Sequence, residues 1–207
     1  MSSPVIAPRW QEPFRASAFR LRFELGGEVH SSDEPIARFS QAFGRARSIA
    51  RGIFQNGVQP LAIVGTWPDS RTDAFAPAKD GFAELSAMGF RLPPIAEWQA
   101  APKDDLDDDS EPWTWRAFDI AGNWRACDVL IWAAISYELA IRPKAPVKSY
   151  FVDFETAVML DVYDDRGMDV IAIRRESLLD LYRSRDGWLL DYDRPRMMGV
   201  FGKLLAE

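Results

Sequence analysis

An α+β fold is predicted for this chain: an antiparallel or mixed sheet with a C-terminal meander, packed against several helices. Three observations predict it. Strand-like and helix-like segments are partly segregated along the chain instead of alternating, which argues against a wound parallel sheet. The last third holds three strand-like runs in succession, at residues 149–153, 156–163 and 168–174. Hydrophobic residues make up 47% of the 207 and charged residues 27%, a balance that can bury a core without disulfides or a structural metal.

Residues 1–16 are expected to be an N-terminal extension and 17–207 a single α+β domain. No apolar run reaches the ~18 residues of a membrane span. The opening stretch lacks a basic segment followed by an apolar core, so no secretory leader is expected and the location expected is cytoplasmic. The one cysteine, Cys127, rules out an intramolecular disulfide and a cysteine-cluster zinc site. The one histidine, His30, falls in a loop and is expected to be solvated; Cys127 is expected in the core.

Residues 17–25 alternate, with Phe19, Leu21, Phe23 and Leu25 on one face and Arg20, Arg22 and Glu24 on the other, as a half-buried strand does. Gly26-Gly27 ends it. Ser32 or Asp33 should cap a helix with Pro35 in its first turn. Its apolar stripe is Ile36, Phe39, Phe43, Ala46, Ile49, Ala50 and Ile53, and Asn56-Gly57 stops it. Arg38, Arg45, Arg47 and Arg51 flank that stripe on two edges, which suits stems covering apolar surface better than a phosphate-binding face.

Leu61 to Val64 reads as a short central strand, and residues 79–88 as a helix ending at Gly89. Residues 93–112 are expected to be a loop. It carries an acidic run over 103–111 that lacks the ligand spacing and glycine turn of a calcium loop. Residues 113–120 alternate Trp113, Trp115 and Ala117 against Thr114, Arg116 and Phe118 as a strand. Asn123 should cap a buried helix running to Ile141, with Pro143 and Pro146 at its exit. After the meander, residues 176–183 form a helix ended by Gly187, and Trp188 returns to the core. Asp193 should cap a final helix with Pro195 in its first turn, followed by apolar residues as far as Leu204 and Leu205.

The chain has no glycine-rich phosphate loop, dinucleotide fingerprint or nucleophile elbow, so no cofactor is expected. One constellation stands out. Tyr163, Asp164, Asp165, Arg166, Gly167, Met168 and Asp169 join two strands. A three-residue loop, Asp165-Arg166-Gly167, would place Gly167 at positive φ. Val162 then pairs with Val170 and Leu160 with Ala172. Tyr163 opposes Asp169, with Asp161 diagonal to it at roughly 7–8 Å.

Four carboxylates around one turn need compensation. Arg166, Arg174 or Arg194 could bridge them, turn amides could bind Asp164, a Mg²⁺ or Mn²⁺ could be held, or a partner could supply a basic side chain. Asp191 joins this group if its segment lies beside the hairpin. The candidate cluster is therefore Asp161, Tyr163, Asp164, Asp165, Arg166, Asp169 and Asp191.

The stretch from Val162 to Ala172, together with Leu178, Leu181-Tyr182, the run from Trp188 to Arg194 and the N-terminal run from Arg22 to Gly26, resembles an uncharacterised bacterial family, domain of unknown function 3885. The resemblance implies a bacterial cytoplasmic protein and no particular activity.

A non-enzymatic protein-binding module, immunity-like or scaffolding, is the function expected. The formal charge of −6 would steer a basic partner and disfavours nucleic acid. Trp10, Trp67, Trp98, Trp113 or Trp115 would anchor such an interface if they form an exposed patch. The alternative is a metal-dependent hydrolase or nuclease using Asp161, Asp164, Asp165 and Asp169, which needs at least two of them to converge on one concave point.

Overall fold

Period-two alternation gives each strand two faces, and here both are used. The computed structural model describes residues 9–28, 33–54, 59–66, 80–100 and 112–202. His30, Ser32, Asn56-Gly57, Trp67, the acidic run 103–111, Leu204 and Leu205 lie outside the described residues. In chain order the elements are α1 (Glu12–Ala16), β1 (Arg20–Glu24), α2 (Pro35–Ile53), β2 (Leu61–Thr66), α3 (Gly81–Ala87), β3 (Ala96–Ala100), β4 (Trp113–Asp119), α4 (Trp124–Ser136), β5 (Lys148–Asp153), β6 (Val158–Val162), β7 (Gly167–Ala172), α5 (Leu179–Ser184) and α6 (Arg194–Phe201). The strands form one seven-stranded sheet in the order β1-β7-β6-β5-β2-β4-β3. Every pairing is antiparallel. The fold is α+β, with β5, β6 and β7 as the C-terminal meander.

One face of the sheet packs against the helices. Leu21 and Phe23 of β1, Leu160 of β6, Val170 of β7 and Phe151 of β5 meet Ala46 and Ile49 of α2 and Leu130, Ile131 and Ile135 of α4 in the main core. The opposite, outer face carries a smaller core of Ile63, Trp113, Trp115, Tyr150, Val152, Met159 and Ile171. Trp10 and Phe14 cover it, at 7% and 3% exposure, so α1 and the residue preceding its cap pack directly on the sheet. β2 is central and buried along its whole length because it is covered on both faces.

Local chemistry explains most element ends. Asn123 caps α4, its Oδ1 accepting from the Ala126 N–H at 3.1 Å. Gly89, at φ +98°, ends the α3 segment in a conformation that suits glycine.

Several expectations are corrected. The cap position of α2 is Glu34, not Ser32 or Asp33, and no side chain caps it. Ile36 of the expected stripe, in the first turn of α2, is 68% exposed. α4 stops at Ser136, five residues short of Ile141. The exit segment folds back there, and the Pro143 carbonyl accepts from Trp132 Nε1 at 2.9 Å. Residues 96–100, expected within a loop, form edge strand β3, paired with β4. Asp193 does occupy the cap position of α6, yet its side chain caps nothing and binds Arg196. Trp10, Trp113 and Trp115 are buried and Trp98 is half-buried, so these four form no exposed patch.

The four arginines of α2 cover surface and bind within the fold. Arg38 reaches Asp165, Arg45 reaches the Glu24 carbonyl and the Trp188 ring, Arg47 reaches Asp128, and Arg51 lies over Trp124.

Candidate functional site

The β6–β7 hairpin is shifted by two residues in register from the one expected. Val162 pairs with Met168, Asp161 with Asp169, and Leu160 with Val170. The shift of two residues keeps every side chain on its expected face, since strand parity is two. It makes the connection four residues, Tyr163 to Arg166, and puts Asp161 directly opposite Asp169 instead of diagonal to it. Gly167 belongs to β7 and is not among the glycines at positive φ. Its requirement for glycine is steric: a Cβ there would lie 2.7 Å from the Tyr163 hydroxyl and 2.9 Å from the Phe23 carbonyl oxygen.

The turn splits the candidate cluster in two. Asp164 and Asp165 are buried at the turn itself. Asp164 accepts from the Arg166 backbone N–H at 2.7 Å, an Asx turn, and from the Arg166 guanidinium, whose Nε lies 2.8 Å away. Asp165 forms an ion pair with Arg38 of α2, with the two side chains only 6% and 12% exposed. The same turn is tied to β1, because the Leu25 N–H donates to the Arg166 carbonyl at 2.9 Å.

Asp161, Tyr163 and Asp169 project to the outer face, where the structure does bring them together. Lys148 Nζ on β5 lies 2.6 Å from Asp161 Oδ1. Arg22 Nε on β1 lies 3.0 Å from Asp169 Oδ1, and Arg20 Nη1 stands 3.7 Å from Asp169 Oδ2. Burial pushes the Asp169 carboxyl above the ordinary carboxylate range, against the pull of Arg22 and Arg20. Burial also raises the Tyr163 phenol, with the nearby Asp169 charge adding to it, so Tyr163 stays protonated. The neighbouring Arg22 guanidinium pulls the phenol the other way without reversing the shift.

Asp191 is not part of this group. Its segment runs along the side of β1 away from β7, where Leu189 bridges Phe23, and its carboxylate meets Arg194 Nε at 2.9 Å. Of the three arginines suggested as bridges, Arg166 holds Asp164, while Arg194 binds Asp186 and Asp191. The residues that hold the other hairpin carboxylates, Arg20, Arg22, Arg38 and Lys148, were not singled out for that role by sequence. Arg20 and Arg22 were visible as the polar face of β1. What was not visible is that β1 pairs with β7, almost 150 residues later, and so lays that face beside Asp169.

Together these side chains line a cleft of about 340 Å³ between α1 and the outer face of β1, β7 and β6. Its wall includes Arg15, Arg20, Arg22, Asp161, Tyr163 and Asp169. No group of three or more His, Cys, Asp or Glu side chains able to hold a metal ion occurs among the described residues. Chemically, the hairpin carboxylates act as acceptors already engaged by cations of their own chain. The cleft as a whole offers guanidinium and phenol donors.

A family model described as Domain of unknown function (DUF3885) matches residues 6–193. No curated protein and no solved structure matches the chain.

Proposed function

We propose, from the premise that this chain belongs to the Domain of unknown function (DUF3885) family, that it is a non-enzymatic protein-binding module of an immunity-like or scaffolding kind. One observation carries this reading. Asp161, Asp164, Asp165 and Asp169 each hold a cation of the same chain, Lys148, Arg166, Arg38 and Arg22 respectively. A metal-dependent hydrolase needs carboxylate oxygens ready to take a cation that activates water. Here a metal would first have to displace four ion pairs, two of them at buried aspartates of the turn.

The net charge of −6 supports a basic partner, because a field of one sign steers association with the opposite sign. The tryptophans lend no support, being buried or half-buried where they are described. Exposed apolar anchors are found instead at Tyr192, 90% exposed, and Met198. Tyr192 lies just before α6, beside the ion-paired Asp191 and Arg194.

The test is capture with the whole immobilised chain, followed by rebuilding of the complex from purified components. The expected result is a stoichiometric complex with a basic protein, weakening at least about tenfold as salt rises and surface charge is screened. Metal-stimulated turnover of a nuclease or phosphatase substrate by the purified chain, lost in Asp161→Asn/Asp169→Asn, would overturn the reading in favour of the hydrolase.

A further inference from the structure

We propose that the outer-face cleft is a binding site for a small oxyanion, a phosphate or carboxylate group on a molecule of modest size, with Arg20 as its principal contact. Such a site would operate whether or not the chain also docks a protein.

Charge balance is the first argument. The chain is acidic overall, yet three arginines, Arg15, Arg20 and Arg22, line this cleft against two aspartates, Asp161 and Asp169. Both aspartates are already engaged, Asp161 by Lys148 from beside the cleft and Asp169 by Arg22. The lining therefore carries excess positive charge in a concave, partly buried setting, where field lines concentrate.

The state of Arg20 is the second. Its one ion pair, to Asp169, is 3.7 Å long, beyond hydrogen-bond distance. The side chain is one-third exposed, and its guanidinium has no hydrogen-bond acceptor among the described residues. A planar fork of N–H donors in that condition suits bidentate capture of a carboxylate or phosphate. Its backbone is fixed, since the Arg20 carbonyl accepts from Arg196 Nη2 at 2.9 Å and the strand is paired with β7. The donor is thus presented from a rigid element.

Shape is the third. A volume of about 340 Å³ falls within the range of small-molecule pockets. A second depression of about 460 Å³ shares Arg15, Arg20 and Arg22 and adds Arg196 and Asp193 on its far side. The three arginines line both hollows, so an oxyanion held by them has room for its remainder in either. Tyr163, kept protonated, lines the first hollow as a neutral phenol.

The experiment is titration of the full chain with inorganic phosphate, phenyl phosphate and benzoate at matched ionic strength in chloride. Binding is read by calorimetry and by amide shifts in a ¹⁵N-labelled sample. The expected result is saturable binding of phosphate-bearing probes, benzoate, or both, with amide shifts centred on β1, β7 and α1. Preference between the probes tells which oxyanion the cleft takes. Arg20→Gln should weaken binding by at least about tenfold, whereas Arg9→Gln, outside the cleft, should bind as wild type does. Absence of saturable binding by all three probes, amide shifts centred elsewhere, or full affinity in Arg20→Gln would overturn the proposal. The amide shifts of the unmodified chain decide the matter even if Arg20→Gln fails to fold.

Discussion

Asp161 and Asp169 face each other across β6 and β7, and each is neutralised by a different neighbour: Lys148 from β5 on one side, Arg22 from β1 on the other. Two like charges directly opposite on a sheet are unfavourable by themselves. The strand order resolves this, because it sets the aspartate-bearing strands between two that carry cations. The acidic character of the hairpin is thereby absorbed into the sheet.

Asp169 should leave a signature in the pH dependence of stability. Burial raises its carboxyl above its unfolded value of about 3.9, and the arginines offset this only in part. The folded chain binds the extra proton, so this group's contribution to stability is largest at low pH and is lost as pH rises through the folded pKa. The Tm of wild type minus that of Asp169→Asn should fall as pH rises from about 4, then level off. A difference that grows with pH would mean that arginine pairing outweighs burial.

The Arg38–Asp165 pair should be costly to break from either side. Both side chains are nearly buried, so truncating one leaves an uncompensated charge in the interior. Arg38→Ala or Asp165→Ala should lose about 3–5 kcal/mol in urea unfolding. The double variant should lose less than the two single losses added together. Losses near zero would place this pair at the surface in energetic terms.

Gly167→Ala should destabilise by about 1–3 kcal/mol through overpacking. The added methyl meets the Phe23 carbonyl, a backbone atom that cannot swing aside, as well as the Tyr163 hydroxyl. Truncating Tyr163 should therefore restore only part of the loss. Complete rescue would show that the backbone approach is looser than 2.9 Å.

Trp10 lies in the outer core and packs edge-on against Tyr150, with ring centroids 5.3 Å apart. Trp10→Ala should cost about 3–5 kcal/mol. Chemical denaturation followed by Tyr and Trp fluorescence would measure it. A change below about 0.5 kcal/mol, the range of ordinary surface substitutions, would mean that Trp10 packing adds nothing to the fold.

The legible parts of the sequence were those with local periodicity. The meander, the β1 alternation and the Asn123 cap follow from neighbours two to four residues apart. The hairpin register was off by two because a shift of two preserves which face each residue occupies, so burial pattern alone cannot detect it. β3 gives little strand signal of its own because Ala96, Glu97 and Ala100 are weak strand formers, held extended by pairing with β4. The candidate aspartates were recognised, but the cations that neutralise Asp169 and Asp165 come from β1 and α2, more than 120 residues away. No local pattern encodes such a meeting.

The most direct measurement is a thermal-shift panel with Mg²⁺, Mn²⁺, Ca²⁺ and Zn²⁺ on wild type and on Asp161→Asn/Asp169→Asn. A specific ion at ~100 times its dissociation constant would add roughly 2.7 kcal/mol of stability. Carboxylates engaged by their own chain predict no ion-specific rise in Tm for either protein. A rise in wild type that disappears in the double variant would contradict this, and would make the hairpin a metal site.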